Sequence, residues 1–189
     1  MIITSDHVLW DKEEGITVLT GNVKVIKEED EVYAKKMKIW GDFNDIKKIT
    51  GYKDITIINK KGQSIITGDY FEYRKKEDYI LIVGNAKLIA KKDKIEVTSQ
   101  KMEKYFKKHL SIASNKVTIV SEDSKATGEL LKFFEEKEKA ILTGVPKLIQ
   151  KDNAFSGEKI IFYTGEDKIE IRGNVKSVIY LEKESSKNE

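Results

Sequence analysis

The sequence predicts an all-β protein, an elongated antiparallel roll of two facing sheets built from about six repeats of roughly 30 residues. Three observations predict it. A short glycine phrase returns at a nearly constant interval. A second phrase, set between copies of the first, opens runs that alternate apolar and polar side chains. The segments between runs are almost wholly charged.

The first phrase reads Gly21-Asn22-Val23-Lys24, Gly84-Asn85-Ala86-Lys87 and Gly173-Asn174-Val175-Lys176, with weaker copies at Gly51-Tyr52-Lys53, Ser114-Asn115-Lys116 and Gly144-Val145-Pro146-Lys147. Its starting positions are 30, 33, 30, 30 and 29 residues apart. Two residues before each stands an aliphatic: Leu19, Ile49, Ile82, Ile112, Leu142 and Ile171. A period carried by both a glycine and an apolar position is a structural repeat.

The second phrase is Thr67-Gly68-Asp69, Thr127-Gly128-Glu129 and Ser156-Gly157-Glu158. After it, Phe71 and Tyr73, Leu131 and Phe133, and Ile160 and Phe162 occupy the same two offsets from the glycine. Residues two apart share one face of a strand, so each pair forms an apolar stripe. The glycines fit bulges or bends, where a side chain would crowd the neighbouring backbone.

Charged clusters such as Asp11-Lys12-Glu13-Glu14-Gly15, Lys27-Glu28-Glu29-Asp30, Lys75-Lys76-Glu77-Asp78 and Glu135-Glu136-Lys137-Glu138 read as solvated hairpin turns. Each unit thus contributes about two strand pairs. Met102, Phe106 and Leu110, and likewise Leu130 and Phe134, stand at a helical spacing of four. The repeat phrases run through both windows in register, and strands are expected there. The aliphatics before the first phrase form one ladder; Phe71, Tyr73, Met102, Leu131, Phe133, Ile160 and Phe162 are expected to face it across an interior. A rod of this kind leaves strand edges open at its ends, where another strand can dock.

Composition narrows the function. Thirty-five Lys and Arg balance 32 Asp and Glu, and the two signs mix in nearly every turn, which opposes a nucleic-acid surface with its one-sided basic field. There is no cysteine, hence no disulfide, thiolate nucleophile or cysteine-based metal site. The longest apolar run, Tyr79 to Val83, is too short to span a bilayer. No export segment is visible, as expected both of a trimmed exported chain and of a cytosolic one. His7 and His109 lack a partnering ligand pattern and read as surface or turn residues, so no metal or other cofactor is expected. Trp10 and Trp40 read as core or end-cap aromatics. No nucleophile triad or phosphate-cradling glycine loop appears, and the carboxylates fall in turn clusters beside lysines. Binding is expected rather than catalysis.

Ile3-Thr4-Ser5-Asp6, then Thr20-Gly21-Asn22-Val23-Lys24-Val25 and Val32-Tyr33-Ala34, resembles the opening of the lipopolysaccharide-transport bridge family, the OstA-like (LptA-type) β-jelly-roll. Gly68-Asp69-Tyr70-Phe71-Glu72-Tyr73, with Gly84-Asn85-Ala86-Lys87-Leu88 behind it, resembles that family's internal repeat. The likeness covers residues 1–181; the polar stretch 182–189 is expected to be a disordered tail. One departure is Lys35, where the family carries an acidic residue after the alanine. The resemblance implies a periplasmic, non-enzymatic carrier whose apolar interior takes the acyl chains of lipopolysaccharide or a related lipid. Its subunits join end to end by strand edges, between an inner-membrane transporter and an outer-membrane translocon. The candidate lining is Leu19, Ile49, Phe71, Tyr73, Ile82, Met102, Ile112, Leu131, Phe133, Leu142, Ile160, Phe162 and Ile171. Two alternatives stay open: an inner-membrane-anchored relative of the same system, and a structural or polysaccharide-interacting β-solenoid.

Overall fold

The computed structural model describes residues 1–166 and 168–179. The expected domain limit at 181 and the tail 182–189 lie outside the described residues. All the described strands belong to one antiparallel, unclosed sheet of 16 strands. They are β1 (Ile2–Thr4), β2 (His7–Asp11), β3 (Ile16–Lys27), β4 (Asp30–Gly41), β5 (Ile46–Asn59), β6 (Ser64–Arg74), β7 (Tyr79–Ala90) and β8 (Ile95–Tyr105). Then follow β9 (Leu110–Val120), β10 (Ser124–Phe134), β11 (Lys139–Thr143), β12 (Lys147–Gln150), β13 (Asn153–Ser156), β14 (Lys159–Tyr163), β15 (Lys168–Arg172) and β16 (Lys176–Val178). The two windows with helical spacing are strands, each closed by a single 3-10 turn, Phe106–Lys108 and Glu135–Lys137.

The repeat is a bend. Near the middle of each chain pass the register slips, and on alternate passes two successive residues take positive φ: Gly21-Asn22, Lys53-Asp54, Gly84-Asn85, Asn115-Lys116, Gly144-Val145 and Gly173-Asn174. Where the bend breaks the ladder fully, one pass counts as two strands, as with β1 and β2, β11 and β12, β13 and β14, or β15 and β16. The bends stack, folding the sheet into two leaves. The first holds β2, the leading part of β3, β11, β14 and β15; the second holds β1, the trailing part of β3, β12, β13 and β16. Each repeat is one bent hairpin, and so supplies one strand pair to each leaf.

The two sequence phrases are halves of one fastening. Asn22 Nδ2 donates to Asp6 Oδ2 (3.0 Å), Asn85 Nδ2 to Asp69 Oδ2 (3.0 Å), and Asn174 Nδ2 to Glu158 Oε1 (2.7 Å). The Asp6 and Glu158 amides donate to the carbonyls of Gly21 and Gly173, both at 2.9 Å. The acidic residue after one bend thus caps the left-handed pair of the next pass. Lys35 stands where these acids stand, opposite the Lys53-Asp54 bend of the next pass.

Candidate functional site

The interior between the leaves is the candidate site. Along the first leaf one row of cross-strand neighbours runs Leu19, Met37, Gly51, Phe71, Ile82, Met102, Ala113, Leu131, Leu142, Ile160, Ile171. Two residues along each strand, a second row on the same face includes Thr17, Ile39, Ile49, Tyr73, Ile80, Phe133, Ala140, Phe162 and Ile169. The second leaf contributes Val23, Ala34, Ile55, Ala86, Val117 and Leu148. These side chains form two apolar clusters, with Met102 packed against both. The column is therefore continuous along the rod.

The structure corrects the expected arrangement in two ways. The two ladders do not face each other: Phe71 pairs with Ile82, Leu131 with Leu142, and Ile160 lies between Leu142 and Ile171. They alternate along one row of one leaf, and the residues facing them come from the second leaf. The phase was also displaced at two weak copies of the phrase. The bends there are Lys53-Asp54 and Asn115-Lys116, so the rungs two residues earlier are Gly51 and Ala113. Ile49 stays on the interior face one rung further along, packed against the cluster. Ile112, paired with Glu103 and Lys132, lies on the opposite, outer face.

The remaining candidates are interior. Leu19, Ile82, Leu142 and Ile160 are buried, with Phe71 and Leu131 close behind. Tyr73, Met102, Phe133, Phe162 and Ile171 are partly buried against the clusters. Sequence reasoning missed Met37 and Ile39 on β4 and all of the second-leaf lining. Alternation in Val32-Tyr33-Ala34 and Val23-Lys24-Val25 was the available signal. Glycines at the bend admit the aliphatics: a Cβ on Gly157 would stand 2.8 Å from Ile171 Cγ2, and one on Gly51 2.9 Å from Ile55 Cδ1. A methyl group there would have to displace the neighbouring aliphatic side chain.

The outer face of the first leaf is its chemical opposite. Glu72, nearly buried, accepts hydrogen bonds from Tyr70 (2.5 Å) and Arg74 and pairs with Lys48 (3.2 Å). Burial works to raise its carboxyl pKa, but these donors outweigh it and hold the group below the ordinary range. Tyr79 (2.7 Å) and Tyr105 (3.3 Å) both donate to Glu103, and Tyr163 to Glu170 (2.9 Å). Burial, then the bonded carboxylate, pushes the phenols of Tyr70 and Tyr79 well upward. These residues are fully engaged with each other. His109 caps the turn Phe106–Lys108 in a left-handed conformation, a turn residue as expected.

An interior of this kind offers hydrocarbon and little else: Thr17 and Ser99 are its buried polar members, and the Ser99 hydroxyl donates to the Lys101 carbonyl. At the first end the apolar rows continue onto exposed Val8 and Trp10 of β2, and at the other onto exposed Ile169.

A model of the family described as LptA/(LptD N-terminal domain) LPS transport protein matches residues 2–109 and 91–168. Among solved structures, the chain is similar to the crystal structure of LptH, described as the LptA homologous periplasmic component of the lipopolysaccharide transport device of Pseudomonas aeruginosa. Identity is 17%, the TM-score 0.30, and the match covers 95% of this chain and 94% of that one. No curated protein matches. With the family model matched across most of its length, this chain belongs to the LptA/LptD N-terminal domain family of lipopolysaccharide transport proteins.

Proposed function

We propose that this protein is a periplasmic carrier that holds the acyl chains of lipopolysaccharide, or a related lipid, between its two leaves. Copies joined end to end would pass the lipid from an inner-membrane transporter to an outer-membrane translocon. The observation that carries this reading is the apolar column: it crosses every pass of the sheet and is exposed at both ends. Each methylene moved from water into it contributes about 0.8 kcal/mol, so a chain of about twelve gains near 10 kcal/mol. A long shallow column lets that gain be given up stepwise, which a carrier requires. Among the described residues the sheet also has open edges, with β1 and β2 paired on one side only at the first end, and β15 and β16 at the last. Open edges accept a strand of the next copy.

One observation favours a second reading. Met37, Leu142 and Ile160 have essentially no exposure, so the centre is filled by its own side chains, as in a purely structural rod. A lipid must part the leaves to enter. A photo-crosslinking side chain at Ile171, on the interior row, and another at Glu170, on the outer face, separate the readings. In a carrier, position 171 captures lipopolysaccharide and 170 captures none. No capture at 171 or at 142, in protein shown to be folded, establishes the filled rod instead.

A further inference from the structure

We infer that the outer face of the second leaf, at its C-terminal end, is a docking surface for an anionic lipid bilayer. Two rows of cross-strand neighbours form this surface: Thr127, Lys147, Ser156 and Lys176, and beside them Lys125, Ile149, Ala154 and Val178. They line a shallow hollow of about 410 Å³. Its apolar floor is unusually open to solvent, with Ile149 at 50% and Val178 at 54% exposure. Lys125, Lys147 and Lys176 ring that floor. None of the three forms an ion pair among the described residues, so their charge is not met by a neighbouring carboxylate. The rows contain no carboxylate. Of the acids two residues beyond these rows, Glu129 and Glu158 are turned into the bends, where they meet the Lys116 amide and the Asn174 side chain, and Asp123 and Asp152 stand in the turns at the opposite end, with Lys151 beside Asp152 in the chain.

A second observation points the same way. At the bend beside Lys147, the second left-handed position holds Val145, where the corresponding positions of other repeats hold Asn22, Asn85 and Asn174. A β-branched residue at φ +54° is strained, and this one is also 81% exposed. Neither the backbone nor the core gains from valine there. An exposed apolar side chain two residues from Lys147 gains when a bilayer interface receives it, with the ammonium groups on lipid phosphates. Strands β12 and β13 are paired on both sides, so this face has no free backbone to offer an added strand. What it presents is positive charge over small aliphatics. That complements a phosphate-rich lipid surface.

The test is co-sedimentation of the full chain with vesicles of equal parts phosphatidylglycerol and phosphatidylcholine, against vesicles of phosphatidylcholine alone. The expected result is binding to the mixed vesicles only, weakened by added salt. Lys125→Gln/Lys147→Gln/Lys176→Gln lowers the partition coefficient roughly a hundred-fold. Val145→Asn lowers it several-fold while melting no lower than the parent. Lys36→Gln/Lys38→Gln/Lys132→Gln, on the first leaf, leaves it within about two-fold. Equal binding to both vesicles, no binding to either, undiminished binding of the first triple variant or of Val145→Asn, or an equal loss from the first-leaf set would each overturn the inference. Melting curves confirm that every variant is folded.

Discussion

Gly128 lies directly against the side chain of Leu142: a Cβ on the glycine would stand 2.8 Å from Leu142 Cδ1 and 2.9 Å from the Thr143 carbonyl oxygen. The side chain could turn away, but the carbonyl belongs to the neighbouring strand and cannot. Gly128→Ala is therefore expected to destabilise the fold by about 1–3 kcal/mol. Thermal melting checks this, with Gly15→Asn as the comparison, since Gly15 has φ +63° and open space around it. An unchanged melting temperature for Gly128→Ala would mean the leaves can separate at that bend without cost.

The bond between Asn85 and Asp69 combines a hydrogen bond with a left-handed backbone. Asn85→Gly removes only the bond and is expected to cost about 0.5–1.5 kcal/mol. Asn85→Ala loses the bond too and keeps a Cβ in a left-handed backbone that asparagine tolerates and alanine does not, so it costs about 1–2 kcal/mol more than the glycine variant. A double-mutant cycle with Asp69→Ala isolates the coupling, which should be clearly favourable. A coupling of zero would make the recurrence of the two phrases a matter of backbone shape alone.

Acid should loosen the outer face. Lys60, at 2.6 Å, and then Tyr33 hold the Glu31 carboxyl down to about 2, and Arg172 and then Tyr163 do the same for Glu170. Both folded values lie below the ordinary 4.5, so the folded state binds fewer protons than the unfolded chain between these limits. Their stabilisation is complete above about pH 4.5 and is lost as the pH falls towards about 2. Melting temperature followed over that window should drop, and less steeply in Glu31→Gln/Glu170→Gln. An unchanged slope in the double variant would assign the acid sensitivity to other carboxylates.

At the first edge, Trp10 extends the interior row beyond β3 and is 63% exposed, with Lys12 over its ring. Trp10→Lys is expected to change stability by less than about 1 kcal/mol, because little of the ring is buried. If copies join at this edge, the added charge should reduce the weight-average mass measured by sedimentation at high concentration. A large fall in melting temperature would show instead that Trp10 seals the end of the core.

The all-β fold and its period were legible because glycine marks most of the bends, as at Gly21, Gly84, Gly144 and Gly173. Lys53-Asp54 and Asn115-Lys116 adopt the same left-handed pair with no glycine. Nearby Gly51 and Ser114 drew the phase away, which put Ile112 on the wrong face. The pairing of the two phrases was hidden for another reason. Asp69 and Asn85 are 16 residues apart, and only the hairpin register makes them neighbours. A period of two assigns faces within a strand, whereas register decides which strand's residues come next. That is why the two ladders were placed opposite each other instead of in alternation. The second-leaf hollow left no mark, because Lys125, Ile149 and Val178 follow no shared phrase.

Among the described residues, each pass of this sheet pairs only with the passes just before and after it in the chain. Length is consequently a free variable of the design. Duplicating or deleting one bent hairpin adds or removes two strands, about 10 Å of rod, and every remaining bend, rung and fastening keeps its own neighbours. A gene encoding such a chain can lengthen or shorten it by unequal crossing-over between repeats and still specify a folded product. The span of the rod is then adjustable one hairpin at a time.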